Sequence, residues 1–295
     1  MTRVIPAIPA IRAAIDAHRQ KSAVIGLVPT MGALHAGHGR LIEEARAACD
    51  LLVVSIFVNP IQFDRPDDYE RYPRPIESDV AFCEARGVDF VFAPAASEMY
   101  PSPPLTYVEV TRVSEHLCGA FRPGHFRGVA TVVLKLFAIV QPDRAYFGAK
   151  DAQQLAVIRR MVRDLNLPVT ITEVATVREP DGLALSSRNE HLNAAERRVA
   201  PILFQALQAA ARRINDGIAC ADKVRAEALA VLASRPEARV EYLEIVDAEE
   251  MQPVSRIAAP VRVAGAIWLG NTRLIDNVLC VPAACSESGR HESQP

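Results

Sequence analysis

Through the first 180 or so residues, short apolar runs alternate with stripes at helical spacing, and this alternation restricts the possible folds most. Adjacent parallel strands need long crossovers, usually helical, so strand–helix–strand order predicts a parallel sheet covered by helices. Residues 23–28 (AVIGLV) are expected to form a buried strand that stops at Pro29. Residues 51–58 give a β-branched strand ending at Asn59-Pro60, and residues 88–92 a third that ends at Pro94. Residues 145–147 and 169–174 complete the set. Between them, Val129, Val132, Val133, Leu136, Phe137 and Val140 fall on one helical face. Leu155, Ile158, Val162 and Leu165 form another such stripe, with Asp151 placed as its N-cap.

After about Asn189 the texture changes. Alanine-, leucine- and arginine-rich helices are expected over residues 194–214 and 221–234, then strands over 240–246, 262–269 and 272–278. The expected architecture is an α/β, Rossmann-like parallel-sheet domain over residues 1–185 and a smaller α+β domain over 186–285. Residues 286–295 contain no apolar side chain and are expected to be disordered.

Half of the 295 residues are hydrophobic and 23% are charged, the balance of a globular protein. The net charge of −2 argues against a broadly basic, nucleic-acid-coating surface. The longest apolar run is too short to span a bilayer, and two prolines interrupt the N-terminal stretch where an export signal should be continuous. No membrane partner and a cytoplasmic location are therefore expected. The six cysteines lack zinc-site spacing and are expected to be buried free thiols. His18, His116, His191 and His291 are expected at the surface.

The most informative stretch, PTMGALHAGH, spans residues 29–38. It follows the first expected strand directly and precedes a helix expected from Gly39 to about Ala48, at the carboxyl end of a sheet strand where α/β proteins bind ligands. Gly32 and Gly37 allow close backbone approach. A helix N-terminus offers unpaired N–H groups to phosphate. His35 and His38 can donate to phosphoryl oxygens as charge builds on a leaving group. An HxxH pair also suits surface histidines or half of a metal site, but no third ligand stands at zincin spacing, so no metal centre is expected.

Other segments repeat the strand-end theme. In FGAKDAQQ, Lys150 could reach a phosphate and Gln154 a polar substrate, or the segment is an ordinary capped turn. In LALSSRN, two hydroxyls and a guanidinium suit a triphosphate, or form a polar linker. Asn59 and Gln62 either hold substrate or tie down their own loop. FRPGHFRG carries Arg122, His125 and Arg127 before a helix, suited to anions or to loop anchoring. There is no P-loop, no GxGxxG after a strand and no GxSxG elbow.

His35-Ala36-Gly37-His38 resembles the HxGH signature of the nucleotidyltransferase superfamily. PTMGALHAGH, FVNPIQF, FRPGHFRGV, FGAKDAQQL and DGLALSSRN, in that order, closely resemble the pantothenate synthetase family; LEIVDAEEM and TRLIDN resemble its C-terminal domain. The resemblance covers nearly the whole chain apart from the tail. It implies ATP-dependent joining of (R)-pantoate to β-alanine through a pantoyl adenylate, with AMP and pyrophosphate released. It also implies a homodimer, and magnesium bound with the triphosphate.

Carried over by motif, Met31, Gly32, Ala33, Leu34, His35, Ala36, Gly37 and His38 line the ATP site, and His38 is the proton donor, with His35 and Lys150 as its catalytic companions. Gly148, Ala149, Lys150 and Asp151 form an ATP-binding loop, and Val177 contacts adenine. Leu185, Ser186, Ser187 and Arg188 bind phosphates. Gln62 is implied to contact pantoate and β-alanine, Gln154 to hold pantoate, and Asn59, Arg122 and His125 to support the pocket. Ala149 departs from the family's usual glutamate, so that contact must run through backbone or be supplied elsewhere. Asp79 is a candidate to assist magnesium. The rivals are a transferase that leaves the nucleotide on its acceptor and a non-catalytic nucleotide-binding protein.

Overall fold

The computed structural model describes residues 1–282; the expected tail, Cys285 and His291 lie outside them. Two compact units emerge. The first comprises Met1–Thr111, Arg122–Ala149 and Val157–Val177, and the second Arg112–Phe121, Lys150–Ala156 and the chain from Arg178 onward.

The first unit holds a parallel sheet of six strands: β1 (Arg3–Ile5), β2 (Ile25–Thr30), β3 (Leu51–Ile56), β4 (Phe90–Phe92), β5 (Arg144–Gly148) and β6 (Thr170–Val174). Their order is β1-β4-β3-β2-β5-β6, so the chain moves one way from β2 and returns to its other side at β5. Every residue of β3 is buried, which is why its sequence reads as a continuous apolar run rather than an alternation. Alternation survives in the packing. Val28, Leu52 and Val54 join Leu41, Ile42 and Ala45 of helix Ala36–Ala48 in one core. The intervening Leu27, Leu51 and Val53 are equally buried and point to the opposite face. Gly26 permits close packing, since a Cβ there would lie 2.7 Å from the Cys49 sulfur.

Two strand limits differ from expectation. β2 continues through Pro29, opposite Ser55 of β3. The Thr30 carbonyl bonds toward β3, accepting the Phe57 amide at 3.1 Å. Successive residues alternate sides, so Pro29 directs its missing N–H toward β5, whose pairing with β2 ends at Leu27. β1 is only three residues long and pairs β4 at the sheet edge; nothing in its short, proline-flanked run announces a strand.

Helix His125–Val140 is buried nearly all round, beyond the single stripe expected. The 3-10 turn Ala149–Asp151 runs straight into helix Ala152–Asp164, so Asp151 lies within the helical run rather than capping it. Leu165 falls beyond the helix and is exposed, while Leu155, Ile158 and Met161 are buried.

The second unit pairs β7 (Ala238–Asp247), β8 (Val261–Leu269) and β9 (Thr272–Cys280) in an antiparallel sheet. Helices Ile202–Asn215 and Ala221–Ala233 pack on it around Leu203, Leu207, Val224, Val263 and Ile267. The long helix expected over 194–214 is broken into Ala194–Val199 and Ile202–Asn215. Pro201, with no N–H to donate, stands at the break. The α/β sheet with a smaller α+β unit is the fold class read from the sequence.

Cys49, Cys83, Cys118 and Cys280 are buried, but Cys220 is exposed just before helix Ala221–Ala233, against expectation. His18 is half-buried edge-on to Phe90 rather than a plain surface residue. His116 is likewise half-buried, and His191 is exposed. Among the described residues no helix is long and apolar enough to cross a membrane.

Candidate active site

The reversal of strand order at β2 and β5 makes the carboxyl ends of these strands the natural ligand crevice of the first unit. The chain leaves β2 through a loop whose shape Asp79 sets. Its carboxylate, 2% exposed, accepts the amides of Ala33 at 2.9 Å and Leu34 at 2.8 Å. Gly32 has φ +86°, and a Cβ on it would meet the Asp79 carboxylate at 2.9 Å. Glycine is thus demanded by the turn itself, not only by an approaching ligand. Ala33 is also left-handed, at φ 52°.

The following helix starts at Ala36, three residues before the expected Gly39, because His35 is its N-cap. The His35 ring accepts the Gly37 amide through Nδ1 at 3.1 Å. The His38 ring accepts the His35 amide through its own Nδ1 at 3.2 Å. Two imidazoles thereby form a reciprocal capping box, with ring centroids 4.2 Å apart. A nitrogen that accepts cannot carry the proton, so each neutral ring is protonated on Nε2. Both histidines are therefore donors on the nitrogen that the cap leaves out.

Gln62 is brought to this loop. Its Nε2 donates to the Met31 sulfur at 2.9 Å, and its Oε1 accepts Asn59 Nδ2 at 3.0 Å. Asn59, 1% exposed, also donates to the Gly128 carbonyl and accepts the Tyr100 hydroxyl at 2.9 Å. Burial pushes the Tyr100 phenol well above its ordinary range, keeping it a donor. Helix His125–Val140 approaches so closely that a Cβ on Gly128 would collide with the Ile61 carbonyl oxygen.

Two side chains of FRPGHFRG bond to the segment around Gln62. His125 Nδ1 lies 2.8 Å from the Gln62 carbonyl, and Arg122 pairs with Asp64 at 3.0 Å. Burial pushes the Asp64 carboxyl upward, but the Arg122 guanidinium outweighs it and holds that carboxyl below the usual carboxylate range. A cavity of about 290 Å³ opens in the same unit, lined by Met31, Phe57, Tyr69, Arg74, Asp79 and Pro94, among others.

At the end of β5, a Cβ on Gly148 would meet nothing within 4 Å, so packing does not require glycine there. Val177 follows β6 and is half-buried.

Ala149 ends a segment of the first unit, and the remaining candidates belong to the second. Lys150 has a side chain 18% exposed, with Nζ 3.9 Å from Asp151 Oδ2. Its backbone carbonyl accepts Asn277 Nδ2 at 3.0 Å. Gln153 is structural, tying the carbonyls of Val113 and His116, whereas Gln154 is half-buried. Ser186 caps the 3-10 turn Ser187–His191 by accepting the Arg188 amide at 3.3 Å. Leu185, Ser187 and Arg188 are half-buried beside it.

Asp79, Tyr100, Arg178, Asp276 and Asn277 were not singled out from sequence as determinants of these loops. Only Asp79 and the TRLIDN string carried any signal there, and neither specified a contact.

The Pantoate-beta-alanine ligase family matches residues 3–279. A pantothenate synthetase of Thermotoga petrophila is 51% identical over 277 residues, covering 94% of this chain and 99% of the relative. One from Moorella thermoacetica is 52% identical, covering 94% and 98%. The crystal structure of pantothenate synthetase from Thermus thermophilus superposes with TM-score 0.88 at 46% identity, covering 94% of this chain and 98% of that one. That of Francisella tularensis pantoate-beta-alanine ligase, complexed with beta-gamma ATP and beta-alanine, gives 0.78 at 32%, covering 95% and 98%. With sequence, length and fold matched together, the chain belongs to the pantoate–β-alanine ligase family.

Proposed function

We propose that this chain condenses (R)-pantoate with β-alanine at the expense of ATP, by way of pantoyl adenylate. The observation that carries the reading is the double-imidazole cap at the head of helix Ala36–Ala48, which leaves both rings protonated on Nε2.

A pantoate carboxylate oxygen attacks the α-phosphorus of ATP. The P–O bond to the β-phosphate breaks and pyrophosphate leaves with that electron pair. His38, with His35, donates from Nε2 to the phosphoryl oxygens gaining charge. Lys150 and Arg188 neutralise the triphosphate, Lys150 as a point charge and Arg188 as a planar fork. Gly148 and Ala149 approach it with backbone, so the missing glutamate at position 149 removes no required side chain; Asp151 and Val177 complete the nucleotide contacts. Gln62 and Gln154 orient pantoate, supported by Asn59, Arg122 and His125. The β-alanine amine then attacks the activated carbonyl carbon. AMP departs with the bridging oxygen, and the new amide nitrogen releases its proton.

A carboxylate is a poor nucleophile toward phosphorus, so positioning and charge neutralisation supply most of the acceleration. Acyl adenylates hydrolyse readily, so this reading requires water to be kept from the intermediate. Magnesium enters with ATP, held by phosphate oxygens and water. Each Asp79 carboxylate oxygen accepts one loop amide and keeps a further lone pair, so Asp79 could assist that cation. A cytoplasmic homodimer belongs to the same reading, and sedimentation velocity tests the dimer.

The test of the first half-reaction is exchange of labelled pyrophosphate into ATP without β-alanine. Exchange that depends on pantoate supports the adenylate; exchange absent with pantoate present overturns it.

A further inference from the structure

Lys150 and Arg188 sit on two short 3-10 turns, Ala149–Asp151 and Ser187–His191, and charge neutralisation requires cations at fixed positions. We infer that the neighbouring residues Asp276 and Asn277 of β9 are positioning residues for both segments. The inference rests on the roles proposed above for Lys150 and Arg188.

Asn277 is 6% exposed, and both ends of its amide are engaged. Nδ2 donates to the Lys150 carbonyl at 3.0 Å, and Oδ1 accepts Arg262 Nη1 at 2.9 Å. Arg262 is itself buried, at 6% exposure, so the amide is held from behind by a side chain with little freedom. The bond across to Lys150 fixes the backbone from which the ammonium extends, not the ammonium itself.

Asp276 performs the matching task for the other segment. Its two oxygens take Arg178 in a fork, at 2.6 and 3.0 Å, and one of them also accepts the Asn277 amide at 2.8 Å. The guanidinium carbon lies over the Phe204 ring, 3.8 Å from its centroid, and Nη1 donates onward to the Gly182 carbonyl at 3.1 Å. Gly182 has φ +93°, and a Cβ there would strike the Phe204 ring. Arg178 also bridges Ala184 in antiparallel fashion, and Asn189 Nδ2 donates to the Ala184 carbonyl at 3.1 Å. The turn leading into Leu185, Ser186, Ser187 and Arg188 is therefore fastened to β9 by the Arg178–Asp276 ion pair and by Arg178 Nη2, which donates to the Asn277 carbonyl at 3.5 Å. A buried ion pair is a weak source of stability because both charges lose their hydration. Here it fixes the orientation of a phosphate-directed turn.

The test separates positioning from folding. Asn277→Asp keeps an oxygen for Arg262 but removes the donor to Lys150. Asn277→Ser, which also loses the reach but adds no charge, is the second variant. Each is made alone and with Lys150→Ala, and pyrophosphate exchange, KM values and thermal midpoints are measured. The expected result is about a tenfold loss of exchange in each single variant, with KM for β-alanine unchanged. Added to Lys150→Ala, the same changes should cost less than about twofold, because the residue they position is gone. Full exchange in both Asn277 variants while Lys150→Ala is impaired overturns the inference alone. Equal losses with and without Lys150 overturn it too. Unimpaired exchange in Lys150→Ala removes the proposed role of Lys150 and the inference with it.

Discussion

His38 accepts the backbone amide of His35 through Nδ1 at 3.2 Å, and this bond decides which ring nitrogen His38 offers to a substrate. A helix cap and a proton donor are combined in one side chain. The two duties separate by substitution. Asparagine places an acceptor near the Nδ1 position but has nothing at Nε2. His38→Asn should therefore fold with a thermal midpoint close to that of the parent while pyrophosphate exchange falls by about 10²–10³. A midpoint scan beside an exchange assay checks this, and near-parent exchange in His38→Asn would rule out the donor role.

Two glycines should respond oppositely. Gly128→Ala drives a methyl against the backbone of Ile61 and Gln62, which cannot yield cheaply. Overpacking of that kind costs about 1–3 kcal/mol, and the shift of Gln62 should raise KM for pantoate. Gly148→Ala meets open space, so urea titration should give unchanged stability. If backbone approach to ATP is its purpose, KM for ATP should rise instead.

Asp79 organises the loop after β2 by accepting two amides, one of them on a left-handed alanine. Asp79→Ala leaves those part-buried donors without their acceptor, at about 1 kcal/mol. Chemical denaturation should register that loss, and exchange should fall because the capping histidines follow this loop directly. Asp79→Asn keeps one acceptor and should retain more of both.

Arg122 holds Asp64 below its ordinary carboxylate range. A depressed carboxyl stabilises the fold above its unfolded pKa, and that contribution disappears as pH falls through the folded value. The parent should therefore lose stability more steeply than Asp64→Asn below about pH 4, with a constant difference above about pH 5. Parallel slopes in acid unfolding would contradict the pairing.

How far the sequence could be read follows from where each contact originates. β2, β3 and the stripe from Val129 to Val140 are local patterns, and they were legible. The start of helix Ala36–Ala48 was misplaced because its cap is an imidazole rather than a serine, threonine or aspartate. The break at Pro201 was visible as a proline and still yielded to the alanine-rich pattern around it. Leu34 and Asp79 are 45 residues apart, and Lys150 and Asn277 are 127 apart. Such partners are set by tertiary packing, which no local periodicity records.

The central claim is attack by the pantoate carboxylate on the α-phosphorus, and oxygen labelling tests it most directly. Pantoate carrying ¹⁸O in both carboxylate positions is turned over with ATP and β-alanine, and the products are weighed by mass spectrometry. The account predicts one ¹⁸O in the phosphate of AMP and one in the amide carbonyl of pantothenate. Unlabelled AMP, or label in pyrophosphate or inorganic phosphate, would contradict it.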